Sequence, residues 1–205
     1  MNEYQKLRKD IFSFKNSILL EGCKLSMDLL EPKFDMKQNN WPQYFCKRGG
    51  LRYYPPYEYM GFGLKVINLY DFGDNTWIGC SNIKGEFVVA YHGIRSDNIP
   101  LTVNRIAYSY LKKGTNQNFK DDDDLNHPGQ KCGIGVYVTP KIEIAERYTK
   151  EFYVDNIRKK YRIILQCRVN PYKIRMPKSN PDYWILNGNG QEIRPYRILI
   201  KESNN

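Results

Sequence analysis

The chain has 205 residues, a formal net charge of +10, 41% apolar and 14% aromatic residues, and only two histidines. That length suits one domain of ordinary size, or one domain with a terminal extension, and excludes a mini-protein that needs staples to fold. The five cysteines, Cys23, Cys46, Cys80, Cys132 and Cys167, show no CxxC spacing, no stretch approaches transmembrane length and the first residues carry no apolar signal core. Free thiols in the cytosol or nucleus, without a membrane, are therefore expected.

The positive balance favours polyanionic partners such as nucleic acid or phosphorylated cofactors. Eight Lys/Arg against two acids fall between Glu151 and Lys178, although a solvated basic face would read the same way.

In chain order, Leu7, Ile11, Phe14 and Ile18 recur three or four apart, and Leu25, Leu29 and Leu30 follow Gly22. The spacing predicts two helices, or one bent helix, over residues 4–30, closed by Pro32. Residues 1–48 then form an N-terminal helical extension, and 49–205 the main domain. From Leu51 the texture turns aromatic and glycine-rich, and Pro55-Pro56 excludes a helix or central strand there. "LKVINLY" reads as a strand, "YDFGDNTWIG" as a turn-bearing loop that pins Trp77, and "GEFVVAYHG" as a buried strand. A helix is expected between Thr102 and Lys113.

The polar segment "TNQNFKDDDDLNHPGQKCG" holds Asp121 to Asp124, which do not alternate as a calcium-binding loop requires. An exposed loop, and no metal site, is expected. "GIGVYVTP" reads as a strand, "KIEIAERYTKEFY" as an amphipathic helix, and "KYRIILQCRVNP" and "QEIRPYRILIK" as the last two strands. Short strands broken by a few helices predict an α+β fold with at least one mostly antiparallel sheet.

Three residues then share one property. His92, beside Gly93, ends a strand; Tyr137 ends another; Glu192 opens the last. A cleft between sheets could collect them, and imidazole, aromatic ring and carboxylate together suit a nucleotide sugar. The imidazole can donate to a ribose hydroxyl, the ring can stack on a base, and the carboxylate can stabilise positive charge at the anomeric carbon. Arg95 is a natural diphosphate contact, because a guanidinium forks onto phosphate oxygens. Structural readings compete at each position. His92 can be a satisfied core or capping histidine, Tyr137 a packed strand aromatic, and Glu192 an ion-pair partner of Arg194 or Arg197. Cys132 and His127 lack the order and spacing of a thiol protease, and no Walker or dinucleotide glycine loop is present.

"YHG", "GIGVYVTPKIEIAERY" and a glutamate opening a late strand together resemble the histidine–tyrosine–glutamate pattern of the diphtheria-toxin-like ADP-ribosyltransferases, the class containing the poly(ADP-ribose) polymerases. The wider framework from Leu51 to Lys201 is also similar to a set of proteins of microbial eukaryotes. The resemblance implies two packed, mostly antiparallel sheets with flanking helices, and NAD as substrate. It assigns His92 to the adenosine ribose, Gly93 to the nicotinamide amide, Tyr137 and Tyr148 to the two faces of the nicotinamide ring, and Glu192 to the nicotinamide ribose and the transfer itself. Tyr148 also lies on the apolar side of its expected helix, where core packing competes.

Ile94 replaces the hydroxyl residue usual in the polymerases, and the segment between Tyr137 and Glu192 is shorter. The shorter segment favours transfer of one ADP-ribose; the acceptor is expected to be a protein or nucleic acid, and the chain a monomer. A non-catalytic binding module on the same fold and an NAD glycohydrolase are the alternatives.

Overall fold

A computed structural model of the chain describes residues 3–13, 25–37, 40–97, 99–108, 111–113, 118–154 and 158–203. The elements are α1 (Glu3–Ile11), β1 (Phe12–Ser13), β2 (Leu25–Ser26), β3 (Cys46–Arg48), β4 (Leu51–Tyr53), β5 (Met60–Gly63), β6 (Val88–Gly93), α2 (Ile99–Tyr108), β7 (Val136–Val138), α3 (Ile142–Arg147), β8 (Glu151–Val154), β9 (Lys159–Val169), β10 (Trp184–Leu186) and β11 (Ile193–Glu202), joined in places by short 3-10 turns. The result is a mixed α/β fold with antiparallel sheets and flanking helices.

The spine is β9. One of its edges pairs with β11, which in turn pairs with β5; the other edge pairs first with β8 and then with β6, all antiparallel. Because β9 is covered on both faces, its sequence is almost continuously apolar instead of alternating. Ile163, Leu165, Cys167 and Val169 enter the larger apolar cluster, with Phe62, Val88, Ala90, Ile198 and Ile200. Ile164 belongs to a second cluster with Trp41, Tyr53, Tyr59, Tyr91 and Leu199. Pro195 is tolerated within β11 because β5 pairs only with residues from Arg197 onward, so the missing N–H lies on an unpaired edge.

A second, smaller sheet pairs β7 with β10, Tyr137 opposite Ile185. It is tied to β6 by one bridge: Tyr91 N–H donates to Thr139 at 2.8 Å, and Thr139 N–H returns to Tyr91 at 3.0 Å.

The strands expected in "GEFVVAYHG", "GIGVYVTP", "KYRIILQCRVNP" and "QEIRPYRILIK" are present, over Val88–Gly93, Val136–Val138, Lys159–Val169 and Ile193–Glu202, and Trp77 is pinned at 1% exposure in a 3-10 turn. Four expectations are corrected. Among the described residues the helix expected over 4–30 is present as α1 alone; Leu29 lies in a 3-10 turn and Leu30 in an isolated bridge to Leu64. Phe14 and Ile18 lie outside the described residues. "LKVINLY" is no strand, because Asn68 adopts φ 62°, which breaks extended backbone. The second helix is Ile99–Tyr108, and the third ends at Arg147. After it the chain re-enters the main sheet as β8, where Phe152 packs against Tyr161 at 5.8 Å between ring centroids.

The expected division at 48/49 falls at the Gly49-Gly50 turn that joins β3 to β4, with Arg48 paired to Leu51. Both glycines have positive φ, 57° and 85°, the requirement of a two-residue hairpin turn. From the N-terminal side Leu7, Ile11, Phe12, Leu29 and Leu30 join the larger cluster, and Tyr4 stacks on Phe62 at 5.6 Å. Among the described residues no helix is long and apolar enough to cross a membrane.

Candidate functional site

Beyond Tyr91, β6 parts from β7, and the imidazole of His92 takes over the contact. Its Nδ1 lies 2.8 Å from the carbonyl oxygen of Tyr137. A carbonyl can only accept, so Nδ1 carries the proton and Nε2 is the acceptor of the neutral ring. Burial holds the pKa of His92 below its ordinary value of 6.5, against the opposing pull of the carbonyl. The neutral imidazole therefore offers Nε2 as an acceptor, where donation to a ribose hydroxyl was expected.

Gly93 follows because α3 crosses here. A Cβ on Gly93 would collide with the carbonyl oxygen of Ala145 and lie 3.0 Å from the Cβ of Tyr148. The same crossing brings Tyr148, the residue directly after α3, over the end of β6.

A cavity of about 540 Å³ opens at this junction, with His92 and Gly93 among its lining. Tyr137 and Tyr148 both line it, and two further aromatics join them: Phe119 and Tyr183. Phe119 stacks on Tyr137 with ring centroids 6.1 Å apart and planes at 24°, and Tyr183 meets Tyr148 edge-on at 6.0 Å. Hydroxyls fix these rings. The Phe119 N–H donates to the Tyr137 hydroxyl at 3.1 Å, and the hydroxyls of Tyr148 and Tyr183 are 2.8 Å apart. Burial, with the Tyr148 hydroxyl beside it, pushes the Tyr183 phenol up to about 12, so it stays protonated. Sequence reasoning missed Phe119 and Tyr183; the "DYWIL" run was legible as apolar, but nothing local places it opposite Tyr137.

Arg95 and Lys112 stand exposed at the rim and form no ion pair among the described residues. An adjoining cavity of about 270 Å³ shares His92, Arg95 and Lys112 and adds Thr102 and Arg105. His92 is thus the seam between an aromatic chamber and a basic one. Among the described residues no carboxylate lines either of them.

No protein-family model matches the chain, and no curated protein matches it in sequence.

Glu192 lies elsewhere. Its carboxylate accepts from Asn187 twice, from the backbone N–H at 2.6 Å and the side-chain amide at 2.8 Å. Its own carbonyl bonds Asn170 N–H, whereas His92 pairs with Leu165. Five positions of β9 separate those points, roughly 17 Å along an extended strand. Neither Arg194 nor Arg197 pairs with it. Arg194 forks onto Asp71 at 2.6 and 2.8 Å, and Arg197 reaches Gln166 and the Phe34 carbonyl.

The aspartate run is structural. Asp122 accepts from Ser179, Asp123 pairs with Lys131, and buried Asp124 accepts from Asn126, Met176 and His127. Among the described residues no cluster of His, Cys, Asp and Glu could hold a metal ion. Burial pushes the Cys132 thiol up to about 11, which leaves it no nucleophile at neutral pH.

Proposed function

We propose that the chain is an NAD-dependent ADP-ribosyltransferase, moving a single ADP-ribose to a protein or nucleic-acid acceptor with release of nicotinamide. The observation that carries this reading is His92 at the seam between a tyrosine-lined chamber and a basic one that no carboxylate lines among the described residues. NAD has the complementary parts. Its planar nicotinamide suits the faces of Tyr137 and Tyr148, a ribose hydroxyl can donate to His92, and the diphosphate suits Arg95 and Lys112.

In the transfer, the bond between the ribose C1′ and the nicotinamide nitrogen breaks, and its electron pair leaves with nicotinamide. The acceptor's lone pair forms the new bond at C1′, and the acceptor gives up its proton. Positive charge grows at C1′ in between. The resemblance assigns its stabilisation to Glu192, which Asn187 holds outside the cavity lining. That placement favours a second reading, in which the same site binds NAD or ADP-ribose without transfer.

One experiment separates them: calorimetric titration with NAD and ADP-ribose, beside mass-resolved NAD turnover with lysate as acceptor source. Transfer predicts nicotinamide release with ADP-ribose on a macromolecule, reduced about 10²–10³-fold in Glu192→Gln. Binding without release, weakened in Tyr137→Ala, establishes the second reading. Release of free ADP-ribose alone marks NAD hydrolysis. Absence of binding overturns both readings.

A further inference from the structure

A third cavity, of about 250 Å³, shares no lining residue with either chamber beside His92. It lies under the β3–β4 hairpin, over the end of β9 that carries Arg168. Three arginines line it, Arg48, Arg168 and Arg197, with the aromatic rings of Trp41, Tyr53 and Tyr196; among the described residues no carboxylate does.

Arg168 is the unusual member. It is 2% exposed, yet its guanidinium bonds only neutral carbonyls: Phe87 at 2.6 Å, Ile78 at 3.0 Å and Gly79 at 2.7 Å. Its Nε is buried without a partner. A buried cation is normally matched by a buried anion, because dipoles alone do not replace its hydration. Arg197 likewise bonds an amide oxygen and a carbonyl, and Arg48 only the Lys47 carbonyl. Among the described residues none of the three forms an ion pair.

The acids nearby are committed elsewhere. Glu86, buried in the adjoining loop, accepts N–H bonds from Gly49, Ser81 and Ile83. Asp35, whose charge Arg197 feels, accepts from Tyr4 and Gly63 N–H and pairs with Arg8 at 3.6 Å.

The guanidinium planes are held by rings. Arg197 lies over Trp41 at 5.2 Å and over Tyr196 at 5.1 Å, Arg168 over Tyr196 at 5.6 Å and Arg48 over Tyr53 at 5.7 Å. Preset forks of this kind suit the tetrahedral oxygens of a phosphate. The half-exposed faces of Phe34 and Ile67 add apolar surface to the lining. The volume is below the roughly 300–1,000 Å³ of sites for drug-sized ligands, so the occupant is small.

We propose that this cavity is a second ligand site, distinct from the His92 chambers, that binds a phosphate carried on a planar ring: the chemistry of a mononucleotide. The phosphate sits among Arg48, Arg168 and Arg197, and the ring lies against the apolar lining. A free mononucleotide and the 5′-phosphorylated end of a short strand share that chemistry.

Cys80 reports on it directly, because it lines the cavity and is exposed, whereas Cys46, Cys132 and Cys167 are buried. The experiment follows alkylation of Cys80 by peptide mass mapping on the full chain, with AMP, adenosine, inorganic phosphate or a 5′-phosphorylated trinucleotide. AMP is expected to slow alkylation, and adenosine to leave it unchanged. Arg48→Ala, on the half-exposed hairpin, should raise the AMP concentration needed roughly ten-fold or more, the scale of one charged hydrogen bond. Arg48→Lys should recover part of the loss. His92→Ala should leave protection intact, which separates this site from the NAD reading. Protection by the trinucleotide at lower concentration than AMP would name a strand end as the source, and the reverse a free nucleotide. The proposal is overturned if neither phosphorylated probe protects Cys80, if protection survives Arg48→Ala in a folded variant, or if His92→Ala abolishes it. Inorganic phosphate protecting as well as AMP would overturn the requirement for a ring.

Discussion

Gly93 of β6 and Ala145 of α3 approach so closely that the strand end and the helix carbonyl leave no room for a side chain between them. The contact joins the main sheet to the segment that carries Tyr148, so the geometry of the aromatic chamber depends on a residue with no side chain. Gly93→Ala forces backbone against backbone, and overpacking of this kind costs roughly 1–3 kcal/mol. The variant should show a lower urea midpoint with an unchanged m-value, together with loss of NAD or ADP-ribose binding. Unchanged stability would mean that α3 can shift away from β6 freely.

His92 makes the fold sensitive to mild acid. Its pKa is lowered in the folded state and ordinary, 6.5, in the unfolded chain. In the window between the two values the unfolded chain binds more protons, so stability rises with pH there and falls as pH drops below about 6.5. His92→Gln should flatten that limb of the stability–pH curve. Ligand binding through the Nε2 acceptor should weaken in the wild type only as pH falls through the lowered folded-state value, below the point where stability starts to fall. Parallel pH profiles for wild type and variant would refute the assignment.

Glu86 shapes a different limb. Burial raises its pKa, but N–H groups from Ile83, Asn82, Ser81 and Gly49 outweigh burial and leave it below 4.5. Its contribution is present above the unfolded value and is lost as pH falls through the folded one. Glu86→Gln keeps the shape but weakens charge-assisted bonds, at a cost of roughly 1–3 kcal/mol near neutrality. Urea melts at pH 7 and pH 3 should therefore differ less for the variant than for the wild type.

Arg194 and Lys150 offer a contrast in ion pairs. Arg194, 2% exposed, lies among Tyr70, Trp77 and Phe87 with ring centroids 4.5, 4.9 and 4.7 Å away and forks onto Asp71. Asp71→Asn leaves that buried guanidinium without a counter-charge and should lower stability by about 1–3 kcal/mol. The Lys150–Asp97 pair, at 2.5 Å but in solvent, should be replaceable by Asp97→Asn within the error of a melt. Equal effects in the two variants would contradict the burial argument.

Much of the strand framework was legible. "VVAYHG", "KYRIILQCRV" and "IRPYRILIK" are apolar runs bounded by turn residues, and each became a strand of the main sheet. The short elements were not. "MGFG" and "WIL" are too brief to carry a period, and they are strands only because β11 and β7 offer them partners. Leu25, Leu29 and Leu30 imitate a helix because spacings of one and four suit either a helix or a bridge with a 3-10 turn.

At the candidate site the sequence alone determined the types of side chain and the order in which they occur: His92 before a glycine, Tyr137 on a short strand, Tyr148 eleven residues on. Such local order survives in the fold because each residue lies in or directly beside a short element: His92 one residue before the end of β6, Tyr137 at the centre of β7, and Tyr148 directly after α3. The tertiary structure alone decided which of them meet. The register of β6 on β9 and the Tyr91–Thr139 bridge bring His92 to Tyr137, and the same antiparallel register carries Glu192 to the far end of β9, into the hands of Asn187. Pairing across a sheet joins residues dozens of positions apart, so no local pattern encodes it. The arginines around Trp41 and Tyr196 were invisible for the same reason: Arg48, Arg168 and Arg197 come from three separate strands and converge only where those strands pack.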